Sequence, residues 1–484
     1  MLAKFNAERL ILAGGAALLL VCVALAAYSG NLLLLGLPFA LAILAWFVLN
    51  WKTFYWFFIF SIALSCEIHL GGSLSTTVPD EQFMWMFVPM VTLLAFYNYR
   101  RFPQWYFRHP ITFVLFLQFC WTIVAVIYSQ NLLLSSKFLA AKIWFMVGYV
   151  ILPPLVFTQK KDFVIAFRAF AIPMMLHAVA AFCLHAYKKF NLYYSNIVVR
   201  PFYFNHVDHS TVLSMMLPPM AVAWQLCKGN KNLRRLTMAA NIFLLAGIAV
   251  AGARAAMLAV IFCAVVAFAI RKKIVNVLMP AFYAFLIAVV FFLSHDAHFV
   301  KYRPEMRYTA TQHNFSDLIT AMFAGRDMSS MERFYRWIAS LKMSTEHPMV
   351  GVGPNNFYDN YKAYTVPMFK TWVWRNSEKS TTHDYFLLML VEQGWPAMLL
   401  YGLLLMVMFA SAQRIYHKAK DPFYKKVTMG IIMMLAAGFV NNFFSELLET
   451  HKIGALFFIG LSLLVVVNHK VNEQNRQGGS TPTA

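Results

Sequence analysis

The sequence contains little charge. Only 13% of its 484 residues are Asp, Glu, Lys or Arg, whereas 60% are hydrophobic and 17% are aromatic. Soluble domains contain about 25% charged and about 45–50% apolar residues. This composition excludes an ordinary soluble protein and indicates a chain that lies largely in lipid.

Cysteine is also scarce, and the motifs of nucleotide-binding and metal enzymes are absent. The six cysteines lie in or beside apolar runs, so the sequence predicts neither a disulfide framework nor a thiolate metal site. No Walker A sequence, Rossmann fingerprint, HExxH or GxSxG motif occurs. His206-x-Asp208-His209 and Asp80-Glu81 contain possible ligands without a recognised spacing, and we predict no metal and no cofactor.

Apolar runs fill most of the chain. We predict an all-α fold, a polytopic membrane helical bundle of about 12–14 transmembrane helices with one long outward-facing loop that contains helices. The predicted spans cover residues 10–28, 32–49, 53–68, 83–97, 111–128, 138–157, 163–185, 208–227, 236–251, 255–270, 275–294, 384–412, 427–447 and 453–469. Ala24-Leu25-Ala26 resembles a signal-peptide cleavage site, but a second span follows at once, so we predict that the first span is retained.

The distribution of Lys and Arg predicts the orientation of these spans. If the N-terminus is cytoplasmic, every alternate loop is basic, as at Lys160-Lys161 and Arg271-Lys272-Lys273. We therefore predict that both termini are cytoplasmic. Much of the net charge of +21 is then a topology signal, and nucleic acid is not expected as a partner.

This topology divides the chain into four segments. They are membrane helices over 1–294, a long outward-facing loop over 295–382, C-terminal membrane helices over 383–470 and a cytoplasmic tail over 471–484. The loop holds eleven Lys and Arg against eight Asp and Glu, and it is too aromatic for disorder. Ser329-x-x-Glu332 predicts a capping box for a loop helix that closes at His347-Pro348. The following sequence, Gly351 to Asn356, predicts either an anion-binding nest or a tight turn.

Basic side chains beside spans on the outward face are energetically costly and need an explanation. Arg254 lies in VAGARAAML between two apolar runs, where it either snorkels to the interface or contacts an anionic ligand. The small neighbours would let a ligand approach, so we predict the anion contact. Arg200, in VVRPFYFNH before the eighth span, invites the same interpretation.

His383 is the best candidate for a catalytic base. Thr381-x-x-Asp384 predicts a capping box, which would place His383 in the first turn of a helix at the outer membrane boundary. The positive helix end would favour the neutral imidazole that a general base requires. A purely structural interfacial histidine is the alternative. Glu392 lies on the opposite side of that helix and is predicted to satisfy backbone groups near the break at Gly394-Trp395-Pro396.

Taken in order, these segments resemble the O-antigen ligase/polymerase superfamily of bacterial envelope glycosyltransferases. The matching pieces are Arg254, GRDMSSMERFYRW with Arg326 and Arg336, HPMVGVGPNNF, and HDYFLLMLVEQG with His383. RPFYFNHVDHSTVLSMMLPP, with Arg200 and His206, looks like an earlier family segment that contacts substrate. The resemblance covers about residues 198–412. Asp384 departs from the family pattern, in which Asn is usual.

The resemblance implies a metal-independent, inverting membrane glycosyltransferase of the GT-C type in the bacterial inner membrane, with its active site facing the periplasm. Such enzymes transfer glycan from undecaprenyl diphosphate to a hydroxyl. His383 would be the general base, and Arg254 would stabilise the diphosphate. Arg200, Arg326, Arg336 and His206 would contact substrate.

Three acceptors are compatible with the resemblance: lipid A-core in a ligase, a carrier-linked repeat in a polymerase, and a protein hydroxyl in an O-oligosaccharyltransferase. We favour the ligase, acting in lipopolysaccharide biosynthesis among membrane lipids. A lipid-linked glycan transporter is the non-enzyme alternative, but a transporter should show inverted repeats and buried ion-coupling carboxylates. A scaffold protein would leave His383 and Arg254 unexplained.

Overall fold

The computed structural model describes residues 2–71, 74–302, 320, 326–365 and 381–477. Within these ranges, fourteen long helices coincide with the fourteen predicted apolar runs, and a fifteenth lies in the long loop. Three short helices, Gln104–Phe107, Pro153–Val156 and Phe357–Asn360, are left out of the numbering below. The helices are α1 (Leu2–Ser29), α2 (Leu37–Leu49), α3 (Trp51–Leu64), α4 (Asp80–Asn98), α5 (Pro110–Ile127), α6 (Leu132–Phe145), α7 (Lys160–Tyr187), α8 (His206–Leu226), α9 (Lys231–Ala251), α10 (Arg254–Lys272), α11 (Val275–Ser294), α12 (Met328–Glu346), α13 (Tyr385–Lys418), α14 (Pro422–Phe444) and α15 (His451–Gln477).

Ten helices in the described ranges are long and apolar enough to cross a membrane. One of them is α6, which continues through a π-helical turn, Met146–Ile151, to Val156. The apolar stretches Gly14–Ser29 within α1, Leu34–Leu49 leading through α2, and Trp51–Leu64, which is α3, are shorter than these ten. The predicted all-α polytopic bundle is confirmed.

A β-hairpin interrupts the helices between α3 and α4. Strand β1 (Cys66–Gly71) pairs antiparallel with β2 (Leu74–Val78). The predicted span over 53–68 is therefore wrong at its end, because α3 stops at Leu64 and the β-branched sequence of β2 pairs with the residues that follow. The carboxylate of Glu81 fixes β2 by accepting hydrogen bonds from Thr76 Oγ1 at 2.6 Å and Thr77 N at 2.9 Å.

The chain forms two compact units, residues 1–60 and 61–484. In the first unit, the Phe54 ring packs edge to face on Trp46 and Phe47, with centroids 5.5 and 5.3 Å apart. In the second unit, α14 and α15 form the centre, since 78% of the apolar window of each is buried.

The contact between α8 and α14 depends on a small residue and on polar side chains. A Cβ added at Gly430 would lie 2.8 Å from Val222, so glycine permits the close approach of the two helices. Asn441 on α14 accepts a hydrogen bond from Thr211 and donates one to Ser214, both on α8. Small residues and interhelical hydrogen bonds hold helices together where lipid removes the hydrophobic driving force.

The loops that the predicted topology places outside meet on one face of the second unit. Ser135 Oγ, at the start of α6, donates to the Pro354 carbonyl of the long loop at 2.7 Å. Lys452 Nζ donates to the carbonyls of Ser65 and Phe202 at 2.6 and 2.7 Å. This common face agrees with the alternation of loops that the positive charges predict, and we call it the outer face.

Candidate active site

The loop helix α12 forms as predicted, but its cap differs. Asp327 is the N-cap, and its Oδ2 accepts hydrogen bonds from Ser330 N at 2.9 Å and Ser330 Oγ at 2.6 Å. The predicted capping box at Ser329 is wrong because Asp327 supplies a carboxylate one position before the helix. Met331, Tyr335 and Ile338, which recur at helical spacing along α12, are buried.

The glycine turn after α12 attaches the loop to the backbone of α13. Val352 N and Gly353 N each donate, at 2.9 Å, to the carbonyls of Val391 and Glu392. A Cβ at Gly351, whose φ is +66°, would lie 2.4 Å from the Glu392 carbonyl carbon. These amides already have partners, so of the two predicted alternatives the segment forms the tight turn.

Glu392 has the structural role that was predicted. Its Oε1 accepts a hydrogen bond from the Phe357 amide at 3.2 Å, beside the break in α13 at Gly394, where φ is +80°. Trp395 N donates to the Pro348 carbonyl at 2.9 Å across the same break. The turn and the broken helix together hold α12 at the outer end of α13.

His383 lies just before α13 and not in its first turn. Asp384 is the N-cap, since its Oδ1 accepts a hydrogen bond from Leu387 N at 2.9 Å, so the capping box predicted from Thr381 is wrong. His383 itself has φ +54°, a left-handed conformation that is uncommon for a residue with a Cβ. Such conformations persist where neighbouring contacts enforce them, often at functional sites.

The His383 imidazole lies beside a carboxylate from another loop. Its Nδ1 is 3.6 Å from Oε2 of Glu446, which follows α14. Burial lowers the pKa of His383 to about 4; the Glu446 charge opposes this shift, and the Arg336 and Arg333 charges reinforce it. The imidazole is therefore neutral at pH 7, as the sequence predicts, but burial is the main cause.

Two arginines place guanidinium groups near this pair. Arg254, the first residue of α10, donates from Nη1 to Asp327 Oδ2 at 3.0 Å. Arg333 donates from Nε to the Phe444 carbonyl at 3.0 Å and from Nη1 to Ser329 Oγ at 2.6 Å. Burial and the Arg254 charge lower the pKa of Arg333, whereas the Glu446 charge raises it. Arg333 therefore lies within electrostatic reach of both Arg254 and Glu446.

A third arginine braces the segment that leads to His383. Arg336 is buried, and its Nη1 donates to the Thr381 carbonyl at 2.8 Å. Its Nη2 pairs with Glu332 one turn earlier on α12. Arg336 is thus part of the site because it fixes the backbone at Thr381, two residues before His383. We call the set Arg254, Asp327, Arg333, Arg336, His383 and Glu446 the outer cluster.

Three further residues were predicted to contact substrate: Arg326, Arg200 and His206. Arg326 is exposed beside Asp327. Arg200 is exposed on the loop between α7 and α8, and His206 begins α8 with its Nδ1 2.7 Å from Asn196 Oδ1. Among the described residues, no hydrogen bond or ion pair joins Arg200 or His206 to the outer cluster. The structure therefore places His383, Arg254 and Arg336 in the outer cluster and shows no direct contact of Arg200 or His206 with it within the described residues.

Sequence reasoning missed Glu446, Asp327 and the position of Arg333. Glu446 lies in FFSELLET, at the end of an apolar run, so the argument applied to Arg254 would also have identified it. Asp327 adjoins Arg326, but its partner is 73 residues away, and no local pattern indicates that pairing.

The residues that suggested a metal site have other surroundings. Within the described part of the chain, no group of three His, Cys, Asp or Glu side chains is placed to hold a metal ion. Glu81 binds the β2 backbone, and His209 packs against the rings of His177 and Tyr203.

Comparison with known proteins identifies the segment that contains most of the outer cluster. Residues 239–402 match the family model described as O-antigen ligase, which is about a third of the chain. The match begins in α9 and ends in α13, so it includes Arg254, Arg333, Arg336 and His383 but not Glu446. A search of curated proteins gave no match. The resemblance drawn from the sequence is confirmed.

Proposed function

From the premise that residues 239–402 belong to the O-antigen ligase family, we propose that this membrane protein is an O-antigen ligase. It transfers glycan from undecaprenyl diphosphate to a hydroxyl of lipid A-core. The reaction takes place at the periplasmic leaflet of the bacterial inner membrane and needs no metal. The observation that supports this best is the outer cluster, in which a neutral imidazole lies among arginines on the outer face.

Arg254 and Arg333 have the positive charge and the hydrogen-bond donors that a diphosphate needs. Arg254 uses Nη1 for Asp327, and its Nε and Nη2 make no hydrogen bond within the described residues. The free side of this guanidinium fork can donate to phosphate oxygens while Asp327 fixes its orientation. Arg333 is held by Phe444 and Ser329 through Nε and Nη1, which leaves Nη2 for the same ligand. Fixed donors of this kind stabilise the charge that grows on a leaving group.

The imidazole suits the acceptor. With Nδ1 toward Glu446, the Nε2 lone pair of His383 is available to take the proton of the attacking hydroxyl. The acceptor oxygen forms a bond to the anomeric carbon, and the bond from that carbon to the diphosphate breaks. The electron pair stays on the diphosphate, and the proton resides on His383, where the Glu446 carboxylate stabilises the imidazolium.

Reconstitution tests the whole proposal. The purified protein should be placed in liposomes with carrier-diphosphate glycan, a chelator, and either lipid A-core or no added acceptor. We expect glycosylated lipid A-core and released undecaprenyl diphosphate in the presence of chelator. Longer carrier-linked glycan without lipid A-core would instead indicate a polymerase, and glycan movement without bond formation would indicate a transporter. Loss of transfer on chelation would contradict the metal-independent reaction.

Glu446→Gln tests the carboxylate that faces His383. Because the Glu446 charge raises the pKa of His383, its removal should lower that pKa further. The acidic limb of the rate profile should then move to lower pH, while the plateau rate falls as the imidazolium loses its partner. The measurement is the initial rate of transfer between about pH 3.5 and 8.

Glu449→Gln is the matched control, since it changes a carboxylate in the same short connection. Glu449 binds Lys142 Nζ at 2.8 Å and accepts from the Tyr385 hydroxyl at 2.6 Å. It should leave the position of the acidic limb unchanged. A limb that stays in place in Glu446→Gln would show that this carboxylate does not act on the base.

A further inference from the structure

A groove opens between the outer ends of α7, α8 and α9. Its apolar walls are Ala178, Ala181, Leu213, Phe243, Gly247 and Ala251. The small side chains of α7 and α9 leave about 380 Å³ of unfilled space, including the opening. Because all these positions lie at the outer helix ends, the groove belongs to the leaflet on the outer face. We call it the outer groove.

A buried polar atom lines the outer groove. The side chain of His209 is 6% exposed, and its Nε2 has no hydrogen-bond partner within the described residues. Leaving a buried polar group without a partner costs free energy, so such atoms usually meet water or a ligand. His209 therefore favours an occupant that brings a hydrogen-bonding group to this depth.

Three cations lie in the loop that forms one side of the groove. Arg200 directly follows the wall residue Val199, while Lys188 and Lys189 come shortly after the wall residue His185. All three are exposed, residues 187–205 contain no acidic side chain, and no ion pair involves these cations among the described residues. Lys188 Nζ lies 5.1 Å from the ring centroid of Tyr194, which precedes the wall residue Ser195. Uncompensated positive charge on the outer face runs against the positive-inside pattern and favours an anionic partner.

We propose that the outer groove binds an anionic glycerophospholipid, with its phosphate on Lys188, Lys189 and Arg200. An acyl chain lies between α7 and α9, and a glycerol ester or hydroxyl meets His209. A polyprenyl phosphate fits less well, because its chain offers no polar atom to the buried imidazole. This site does not depend on the proposed transferase activity.

Native mass spectrometry of the delipidated full chain tests the site, with phosphatidylglycerol as the probe and phosphatidylcholine for comparison. The triple variant Lys188→Gln, Lys189→Gln, Arg200→Gln should weaken the tightest phosphatidylglycerol binding on the order of 100-fold, since each of the three cations contributes about fivefold at a lipid surface. Binding of phosphatidylcholine should change little. Ala181→Phe, which fills the groove, should weaken both lipids; Ala178→Leu serves the same purpose if the first variant is unstable.

The matched control removes three cations at the inner ends of α8 and α9. Lys228→Gln, Lys231→Gln, Arg235→Gln should retain the tightest-bound phosphatidylglycerol. Wild-type phosphatidylglycerol affinity in the outer triple variant would overturn the proposal. Displacement of phosphatidylglycerol by undecaprenyl phosphate at equal concentration, lost in the same variant, would also overturn it, because the groove would then be a carrier-lipid site.

Discussion

His383→Ala should abolish glycan transfer while the protein still reaches the membrane and binds donor. General-base catalysis by a positioned side chain contributes about 10²- to 10⁴-fold, and alanine leaves no group to take the acceptor proton. The direct measurement is initial transfer rate in liposomes, alongside complementation of a strain that lacks its own ligase. Transfer within a few fold of wild type would remove His383 as the base.

The pH dependence separates a lost base from a disturbed fold. Because burial lowers the pKa of His383 to about 4, the wild-type rate should rise through about pH 4 and then stay level to neutral pH. His383→Ala should lose this limb together with the rate. His347→Ala is the matched control, since His347 also lies in the long loop, at the end of α12, where its Nε2 faces Gln130. It should keep both the rate and the limb.

Hydropathy predicted the helices because the bilayer imposes length and composition on every span. It did not predict the hairpin, because Cys66 and Ile68 carry the apolar run past Leu64 despite Glu67 between them. Hydropathy also misplaced Glu446. The predicted span over 427–447 included Glu446, whereas α14 ends at Phe444 and leaves this carboxylate on the outer face.

The outer cluster could be predicted only in part, since its contacts are far apart in sequence. Local sequence patterns identified His383 and Arg254 as ionisable residues at the outer membrane boundary. They also predicted the loop helix α12. They could not show that Arg336 is buried while it pairs with Glu332 and the Thr381 carbonyl, or that the Arg333 and Glu446 charges lie close enough to interact. The ranges 303–319, 321–325 and 366–380 of the loop lie outside the described residues.

Arg254→Lys should reduce kcat/KM by about 10- to 100-fold, although it keeps the positive charge. Arg254 donates from Nη1 to Asp327, and in the proposed reaction its other nitrogens donate to the diphosphate. A single ammonium cannot reproduce both contacts in that geometry. Hydrogen bonds to charged groups contribute about 1.5–3 kcal/mol each, which sets the size of the loss. Because Asp327 also caps α12 through Ser330, a lysine that keeps the ion pair should preserve the loop and lose mainly the donor contact. The measurement is transfer rate against donor concentration, with Arg271→Lys at the other end of α10 as the control. Wild-type turnover in Arg254→Lys would show that Arg254 is an interfacial arginine held by Asp327, and the diphosphate would then need a different partner.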